Sequence, residues 1–310
     1  MLSVLTEPSF PKSAIGIEGD FVTALALTRP GKGRFGIERA ATVEVPVNLV
    51  KPSFIEQNIS SAAEFQVILE EAVLAAGLAN QKNWSVTLPG NTARAAILIL
   101  DNDTAGTDIG EVLDWKAEQS FGVPAGEMRI TRYKIADATD GRARWFATAV
   151  KLSVLDEYET VFEGLGWKAG LILPRSVGET RWLISDSQTV PDSLLISEQT
   201  DGFAAMLLRH NEPAVVRSVT CTPAEMDDEV YRLLMFYRDR FAEEGGGTLE
   251  RLLLIGKNFE WDRIREVSAD ALGRELDTMN ADDIGLSLPV GDLRLNDVAA
   301  PAGLATYGYR

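Results

Sequence analysis

Three short stretches of this chain contain glycine or acidic, amide and hydroxyl residues, which are residue types that could contact a bound phosphate. They comprise residues 16–20 (Gly-Ile-Glu-Gly-Asp), 197–199 (Ser-Glu-Gln) and 256–258 (Gly-Lys-Asn). A phosphate-binding loop uses a carboxylate to orient magnesium through water, a glycine that lets backbone N–H groups approach, and a Ser or Thr hydroxyl that donates to phosphate. Each stretch supplies part of this chemistry and lacks the rest.

The remaining reactive side chains favour no catalytic site. The single histidine, His210, lies beside Asn211 and Glu212, which is typical of a solvated turn between two strands. The single cysteine, Cys221, excludes an internal disulfide and a cysteine-based metal cluster. Adjacent carboxylates at residues 227–229 are expected on the exposed face of a helix. We therefore assign no catalytic residue and no metal site.

The charge balance excludes several classes of partner. The chain has 310 residues, with 30 basic and 46 acidic side chains and a net charge of −16. Such a surface repels nucleic-acid phosphates and anionic lipid headgroups over roughly one Debye length. No apolar run approaches the ~20 residues that a membrane-spanning helix needs, and the first residues lack the pattern of a signal peptide. We expect a cytoplasmic protein that binds no nucleic acid and does not insert directly into a membrane.

The hydrophobic pattern predicts the same succession of elements twice, namely a three-stranded meander, a helix and a further strand. The first meander comprises residues 14–18, 21–28 and 35–44, and the second comprises residues 193–197, 202–209 and 214–219. Ser61 with Glu64, and Thr222 with Glu225, form the capping boxes that begin the two helices. The repeat predicts two related α/β domains that face each other.

An additional α/β unit interrupts the first half of the chain. Its pattern comprises an apolar run at 95–100, a helix near 108–120, strands at 129–135 and 144–150, and a helix near 153–163. From these patterns we predict a tail at residues 1–12, a first domain at 13–190 with an inserted subdomain at about 86–167, and a second domain at 191–310.

Several scattered motifs carry a resemblance to a known superfamily. They are residues 16–18 at the first strand turn, the helix sequence 113–119 (Leu-Asp-Trp-Lys-Ala-Glu-Gln) that leads to Pro124, and residues 165–167, 211–213 and 301–305. In this order the chain resembles the actin-like ATPase superfamily. Within it, the chain resembles the PilM family of type IV pilus assembly proteins and the related cytoplasmic domain of the type II secretion L-subunit. The resemblance implies an α/β fold of duplicated actin-like (ribonuclease H-like) domains with an αβ subdomain inserted in the first.

The nucleotide site that this resemblance implies is degenerate. The first loop has Glu18 in place of the metal-orienting aspartate, but Asp20 replaces a glycine and Phe21 replaces a hydroxyl residue. The second loop lacks both the acid and the glycine, and Lys257 follows Gly256 where a second glycine would admit the purine. The degenerate site comprises Glu18, Gly19, Asp20, Ser197, Gln199, Gly256 and Lys257. The resemblance thus implies a pseudo-ATPase with no required cofactor. Weak binding of ATP with magnesium stays open, as does a functional site offset by one or two residues.

The resemblance also implies a partner. In PilM-like proteins the inserted subdomain and the first meander form a groove for the short cytoplasmic N-terminal tail of a single-pass inner-membrane protein, which here would be PilN-like. The residues expected at this groove are Trp115, Glu118, Phe121 and Trp145. A basic tail suits an acidic protein, because complementary charge speeds encounter and fixes register. The aromatic residues could alternatively fill the core of so small a subdomain.

The expected function is that of an adaptor or scaffold in a type IV pilus or a related secretion platform. We expect it in the cytoplasm, peripheral to the inner membrane through its partner. The alternative, from a different class, is an active actin-like ATPase or a filament-forming cytoskeletal protein that binds Mg-ATP. Assembly into a homo-oligomer stays open.

Overall fold

The computed structural model describes residues 9–101, 108–185, 190–241 and 248–309, so most of the predicted tail lies outside it. The strands, in chain order, are β1 (Ser13–Ile17), β2 (Phe21–Gly31), β3 (Arg34–Glu44), β4 (Asn83–Leu88), β5 (Arg94–Ile99), β6 (Met128–Ile135), β7 (Arg144–Lys151), β8 (Lys168–Pro174), β9 (Asp192–Gln199), β10 (Gly202–Arg209), β11 (Glu212–Thr220), β12 (Leu249–Ile255) and β13 (Leu286–Ser287). The helices are α1 (Ala62–Ala75), α2 (Ile109–Phe121), α3 (Leu152–Gly164), α4 (Arg175–Thr180), α5 (Met226–Phe241), α6 (Trp261–Leu272) and α7 (Leu295–Ala305). Within these ranges, no helix combines the length and apolar character that a bilayer crossing requires.

Two of the sheets share one topology. The first has the order β13-β3-β2-β1-β4-β8, and the second has the order β11-β10-β9-β12. In both, the first strand of the meander is antiparallel to the second strand and parallel to the strand that follows the helix. The predicted duplication of meander, helix and strand is confirmed.

The insertion between β4 and β8 forms a third sheet, with the order β5-β7-β6. Helix α2 covers one face of this sheet and shares a small hydrophobic core with it. Helix α3, which the sequence analysis included in the insertion, instead packs into the core of the first sheet through Val154, Tyr158 and Phe162. The domain boundaries themselves stay a prediction.

Local capping residues set where the helices begin and end. The Ser61 hydroxyl accepts a hydrogen bond from the Glu64 N–H at 3.3 Å and begins α1. Thr222 and Glu225 make both bonds of a capping box ahead of α5. Gly77 follows α1 with a φ of 70°, a backbone conformation that glycine adopts without strain. These boundaries agree with the ones that the sequence predicts.

The last part of the chain returns to the first sheet. Strand β13 pairs in parallel with β3, and helix α7 packs on β1, β2 and β4. From the sequence we predicted residues 191–310 as the second domain, but β13 extends the first sheet and α7 packs on it. The chain therefore passes between the two sheets more than once, which ties them together.

Helices α4 and α7 join the two repeated sheets at a contact between glycines. A Cβ added at Gly178 would collide with the backbone of Ala300, and one added at Gly303 would collide with the Gly178 carbonyl group. On β1, Gly16 leaves room for Pro301 of α7, since a Cβ there would lie 2.8 Å from the proline ring. Around this joint lies one hydrophobic core drawn from both sheets and α7, including Ala14, Leu25, Leu195, Met206, Leu253 and Ala302.

We expect Gly303→Ala to destabilise the protein by about 2 kcal/mol or more, because the new methyl group forces apart two helices that lie in backbone contact. The measurement is the free energy of unfolding from urea denaturation. Gly126→Ala is the matched control, since a Cβ at Gly126 meets nothing within 4 Å. Equal losses in the two variants would contradict the close-packed joint.

Candidate functional site

A cavity of about 520 Å³ opens between the two repeated sheets. Its walls come from the turn after β1, the loop at residues 48–52, the start of α4, the end of β9 and the turn after β12. Of the seven residues predicted for the degenerate nucleotide site, this cavity brings together Glu18, Gly19, Asp20, Gln199, Gly256 and Lys257. Ser197 lies behind them and is only 2% exposed. We call this cavity the inter-domain cleft.

On the first-domain side, one arginine holds two carboxylates. Arg175 lies 3.0 Å from the Glu18 carboxylate and donates from Nε to Glu179 at 2.6 Å. Burial raises the pKa of Glu18 to about 7, although the charge of Arg175 opposes that rise. The Glu179 Oε2 atom is buried and has no hydrogen-bond partner among the described residues. Glu18 therefore belongs to a buried cluster in which two carboxylates share one guanidinium group.

On the second-domain side, a carboxylate occupies the turn after β12. Glu198 accepts hydrogen bonds from the backbone N–H groups of Lys257 at 2.5 Å and Asn258 at 3.2 Å, and from the Asn258 side chain. A Cβ added at Gly256 would lie 2.6 Å from the Glu198 side chain. Gly256 therefore leaves room for Glu198, a contact that the predicted purine platform did not include.

Polar contacts join the two domains in and beside this cleft. The Lys257 ammonium group lies 2.8 Å from the Asp20 carboxylate and 4.7 Å from the centre of the Phe21 ring. Asn91 donates to Asp201 at 2.6 Å. The Lys257–Asp20 pair is exposed to water, and pairs of this kind contribute about 0–1 kcal/mol. Asp20 and Lys257, which we predicted as departures from a nucleotide site, thus bind each other.

The loop at residues 48–52 forms one wall of the cleft, and the buried side chain of Asn58 holds the segment that follows it. The Asn58 side chain donates to the Ser53 carbonyl at 2.8 Å and accepts from the Thr92 hydroxyl at 2.8 Å. The N–H groups of Asn58 and Ile59 donate to the Glu157 carboxylate on α3 at 2.9 and 2.8 Å. Sequence reasoning missed this network, because its members lie up to 99 residues apart.

A magnesium-bound triphosphate would meet polar groups at this cleft that already have partners. The backbone N–H groups at 257 and 258 already donate to Glu198. Glu18 pairs with Arg175, and Asp20 pairs with Lys257. Across the described ranges, no group of three or more acidic, histidine or cysteine side chains could hold a metal ion. The donors and the carboxylates that such a ligand needs are bonded to one another.

The four predicted groove residues lie on or near the α2 face of the inserted sheet. Phe121 is 2% exposed and packs on Phe54 in the subdomain core. Trp145 is half-buried against the same core. The Glu118 carboxylate accepts from the Ala125 N–H at 2.8 Å, which stabilises the turn after α2. Trp115 is 54% exposed. The aromatic residues thus divide between core and surface.

A second cavity lies on the opposite face of the inserted sheet. Its volume is about 250 Å³, and it separates β6 and β7 from the edge strand β8. Thr148 and Val150 line it, as do their cross-strand partners Thr131 and Arg129, whereas Ala147 belongs to the core under α2 and Ala149 contacts both. Successive residues of a strand point to opposite faces. We call this cavity the β8 cleft, because strand β8 bounds it. From the sequence we predicted the partner groove beside the first meander, which includes β2 and β3, and not beside β8.

No protein-family model and no curated protein matches the sequence. Among solved structures, the PilM–PilN type IV pilus biogenesis complex aligns with a TM-score of 0.76 at 14% identity, over 98% of this chain and 100% of the matched one. The chain has the fold of PilM. The resemblance inferred from the motifs is confirmed for the fold, as is the actin-like fold class. The ethanolamine utilization protein EutJ from Carboxydothermus hydrogenoformans aligns with a TM-score of 0.48, at 9% identity, over 96% of this chain and 89% of its own.

We expect Glu18→Gln to remove part of the pH dependence of stability. The pKa of Glu18 lies near 7 in the fold against an ordinary value of 4.5, so its contribution is complete below 4.5 and is lost as the pH rises through 7. Between pH 5 and 8 the wild type should lose about 1 kcal/mol or more relative to the variant, because glutamine stays neutral while Glu18 ionises.

Urea denaturation at several pH values measures this difference. The exposed carboxylate Glu163, changed to Gln, controls for the removal of one negative charge from the molecule. If the Glu18→Gln and wild-type stabilities follow parallel curves from pH 5 to 8, Glu18 does not titrate in this range and the buried cluster has been misassigned.

Proposed function

We propose that this protein is a PilM-like adaptor in a type IV pilus or a related inner-membrane platform. The observation that carries the proposal is the alignment with PilM over the whole of both chains, in a structure of PilM with PilN. We infer that the partner is the N-terminal cytoplasmic tail of a PilN-like single-pass protein. On this proposal the adaptor stays in the cytoplasm and reaches the inner membrane through that tail.

The inter-domain cleft supports a scaffold rather than an ATPase. Hydrolysis needs a carboxylate that is free to orient magnesium and backbone N–H groups that are free to meet phosphate. In this cleft Glu18 pairs with Arg175, and Glu198 accepts the N–H groups of the turn after β12. A phosphate chain would have to displace both sets of contacts before it could bind.

The β8 cleft is the site that we propose for the tail. Strand β8 is an edge of the first sheet, and an edge strand offers N–H and C=O groups to an added strand. Apolar side chains from Leu88, Leu155 and Leu171 line the cavity and could receive alternate side chains of an extended tail. Glu159, also at this cavity, could meet a basic residue. Contact through Trp115 and Glu118 on α2 stays the competing prediction.

We expect the purified protein to release no phosphate from ATP in the presence of magnesium, because the cleft's carboxylates and N–H groups are bonded to one another. A coupled assay of phosphate release measures this, with a functional actin-like ATPase as the positive control. Turnover by the wild-type protein that disappears in Glu18→Gln would contradict the scaffold assignment and favour the ATPase alternative.

We expect Thr131→Trp and Glu159→Lys to weaken binding of a synthetic tail peptide by about tenfold or more, since a blocked or desolvated central contact typically costs ~2 kcal/mol. Thr131 lines the β8 cleft and is exposed, so a larger side chain there should fill the cavity without disturbing the core. Fluorescence anisotropy of the labelled peptide gives the dissociation constants.

Trp115→Ala is the matched test of the α2 face. If Trp115→Ala weakens binding and the two β8-cleft variants bind normally, the tail lies on α2 and the site proposed here is wrong. Thermal melting of each variant separates a loss of binding from a loss of folding.

A further inference from the structure

A basic concavity in the described part of this acidic protein lies away from both clefts. It has a volume of about 770 Å³ and is enclosed by the β2–β3 hairpin, the segment after α4, β12, the turn before β13 and the C-terminal residues. Five cationic side chains line it, namely Arg29, Lys32, Arg34, Arg181 and Arg251. The acidic residues in the same lining are Asp282 and Asp283. This lining is positively charged, whereas the chain as a whole has a net charge of −16.

Backbone carbonyl groups hold two of these guanidinium groups in place. Arg251 donates to the Leu183 carbonyl at 2.9 Å and to the Trp182 carbonyl at 3.4 Å. Arg29 donates to the Tyr309 carbonyl at 3.0 Å. Neither arginine forms an ion pair with a carboxylate in the described part of the chain. Carbonyl groups orient a guanidinium without cancelling its charge, so the pocket keeps a positive field.

Arg251 is partly buried, and no carboxylate close to it among the described residues neutralises its charge. Desolvation lowers the pKa of this guanidinium, and no adjacent carboxylate raises it. Fixed cations that are partly desolvated attract an anion more strongly than mobile cations in water do. The energetic penalty of holding Arg251 in this position would be relieved by a bound anion.

The floor of the pocket is aromatic and close-packed. Phe35 meets Trp182 at a centroid distance of 6.1 Å and Tyr309 at 5.7 Å, both edge to face. The Arg29 guanidinium lies 5.8 Å from the centre of the Phe35 ring. A volume of this order is typical of a small-molecule site, since such pockets span about 300–1,000 Å³. A volume of this size suits a small ligand better than an extended acidic peptide.

We propose that this basic pocket binds a small anion that carries a chain of phosphate groups. Arg29 and Arg251 would orient the phosphates, because a planar guanidinium donates two parallel hydrogen bonds to one phosphate. Lys32 and Arg34 on the hairpin would add charge from the solvent side. Such a chain occurs in nucleoside triphosphates and in inorganic polyphosphate. The proposal does not depend on the tail-binding function, because it shares no residue with either cleft.

The test is isothermal titration calorimetry of the whole protein at low salt, with inorganic tripolyphosphate and, separately, ATP without magnesium as the probes. We expect both probes to bind the wild type. The double variant Lys32→Glu, Arg34→Glu should bind at least about tenfold more weakly, because it reverses two charges that contact or face the anion. Both residues are exposed, so the variant should fold.

Two control variants, each with a basic residue outside the pocket changed to Glu, test whether the probes bind in this pocket. Arg39→Glu removes a cation from β3, the strand of Arg34, outside the pocket, and Lys257→Glu removes one of the cations of the inter-domain cleft. Both variants should bind the probes within about twofold of the wild type, since exposed, distant substitutions act independently. Tighter binding of ATP than of tripolyphosphate identifies a nucleotide as the source, and equal binding identifies the phosphate chain alone.

Three results with the phosphate probes overturn the proposal. They are the absence of binding of both probes at millimolar concentration, normal binding by the double variant, and loss of binding in Lys257→Glu with no loss in the double variant. Binding of a poly-glutamate peptide in place of both phosphate probes would also overturn it, because the pocket would then be a contact for an acidic protein segment.

Discussion

The backbone contact between α4 and α7 is the constraint on which the arrangement of the two sheets depends. Gly178 and Gly303 have no side chain to separate the helices, and the Trp182 indole donates to the Ala299 carbonyl at 2.7 Å across the same joint. The core around them takes apolar residues from both sheets. Because α4 begins at Arg175, the helix that packs the joint also delivers that guanidinium to the inter-domain cleft. Helix α4 therefore both packs the joint between the sheets and positions a positive charge in the cleft.

The two repeats satisfy their cleft carboxylates in different ways. Glu18 follows β1, and Glu198 lies near the end of β9, the equivalent strand of the second sheet. Glu18 is held by Arg175, which the strand β8 and the start of α4 supply. Glu198 is held by backbone N–H groups after β12. Each sheet thus has an acid near the end of its first meander strand, although not at the same position of the loop, and each domain supplies its own partner for the negative charge.

Helix boundaries could be predicted because capping residues act on their own helices. Contacts between residues far apart in the chain could not be predicted. The capping residues Ser61 and Thr222 act on their own helices, so the sequence shows them directly. The cleft residues were found because the resemblance to the actin-like superfamily places its nucleotide loops at these three stretches, which lie at strand ends in the structure. The bonds that Glu198 makes were not predictable, since its partners lie 59 and 60 residues away. Nor does the sequence reveal which face of the inserted sheet Phe121 covers, because an apolar helix residue suits a core or a groove equally.

The exposed ion pair across the inter-domain cleft is the weaker of the links between the two domains. Lys257 and Asp20 meet in water, and the attraction between exposed charges weakens as the ionic strength rises. The close-packed glycines and the apolar core shared by the two sheets involve no charge, so added salt does not screen them. The relative placement of the two domains should therefore depend little on the ionic medium, even where the ion pair of the cleft is screened.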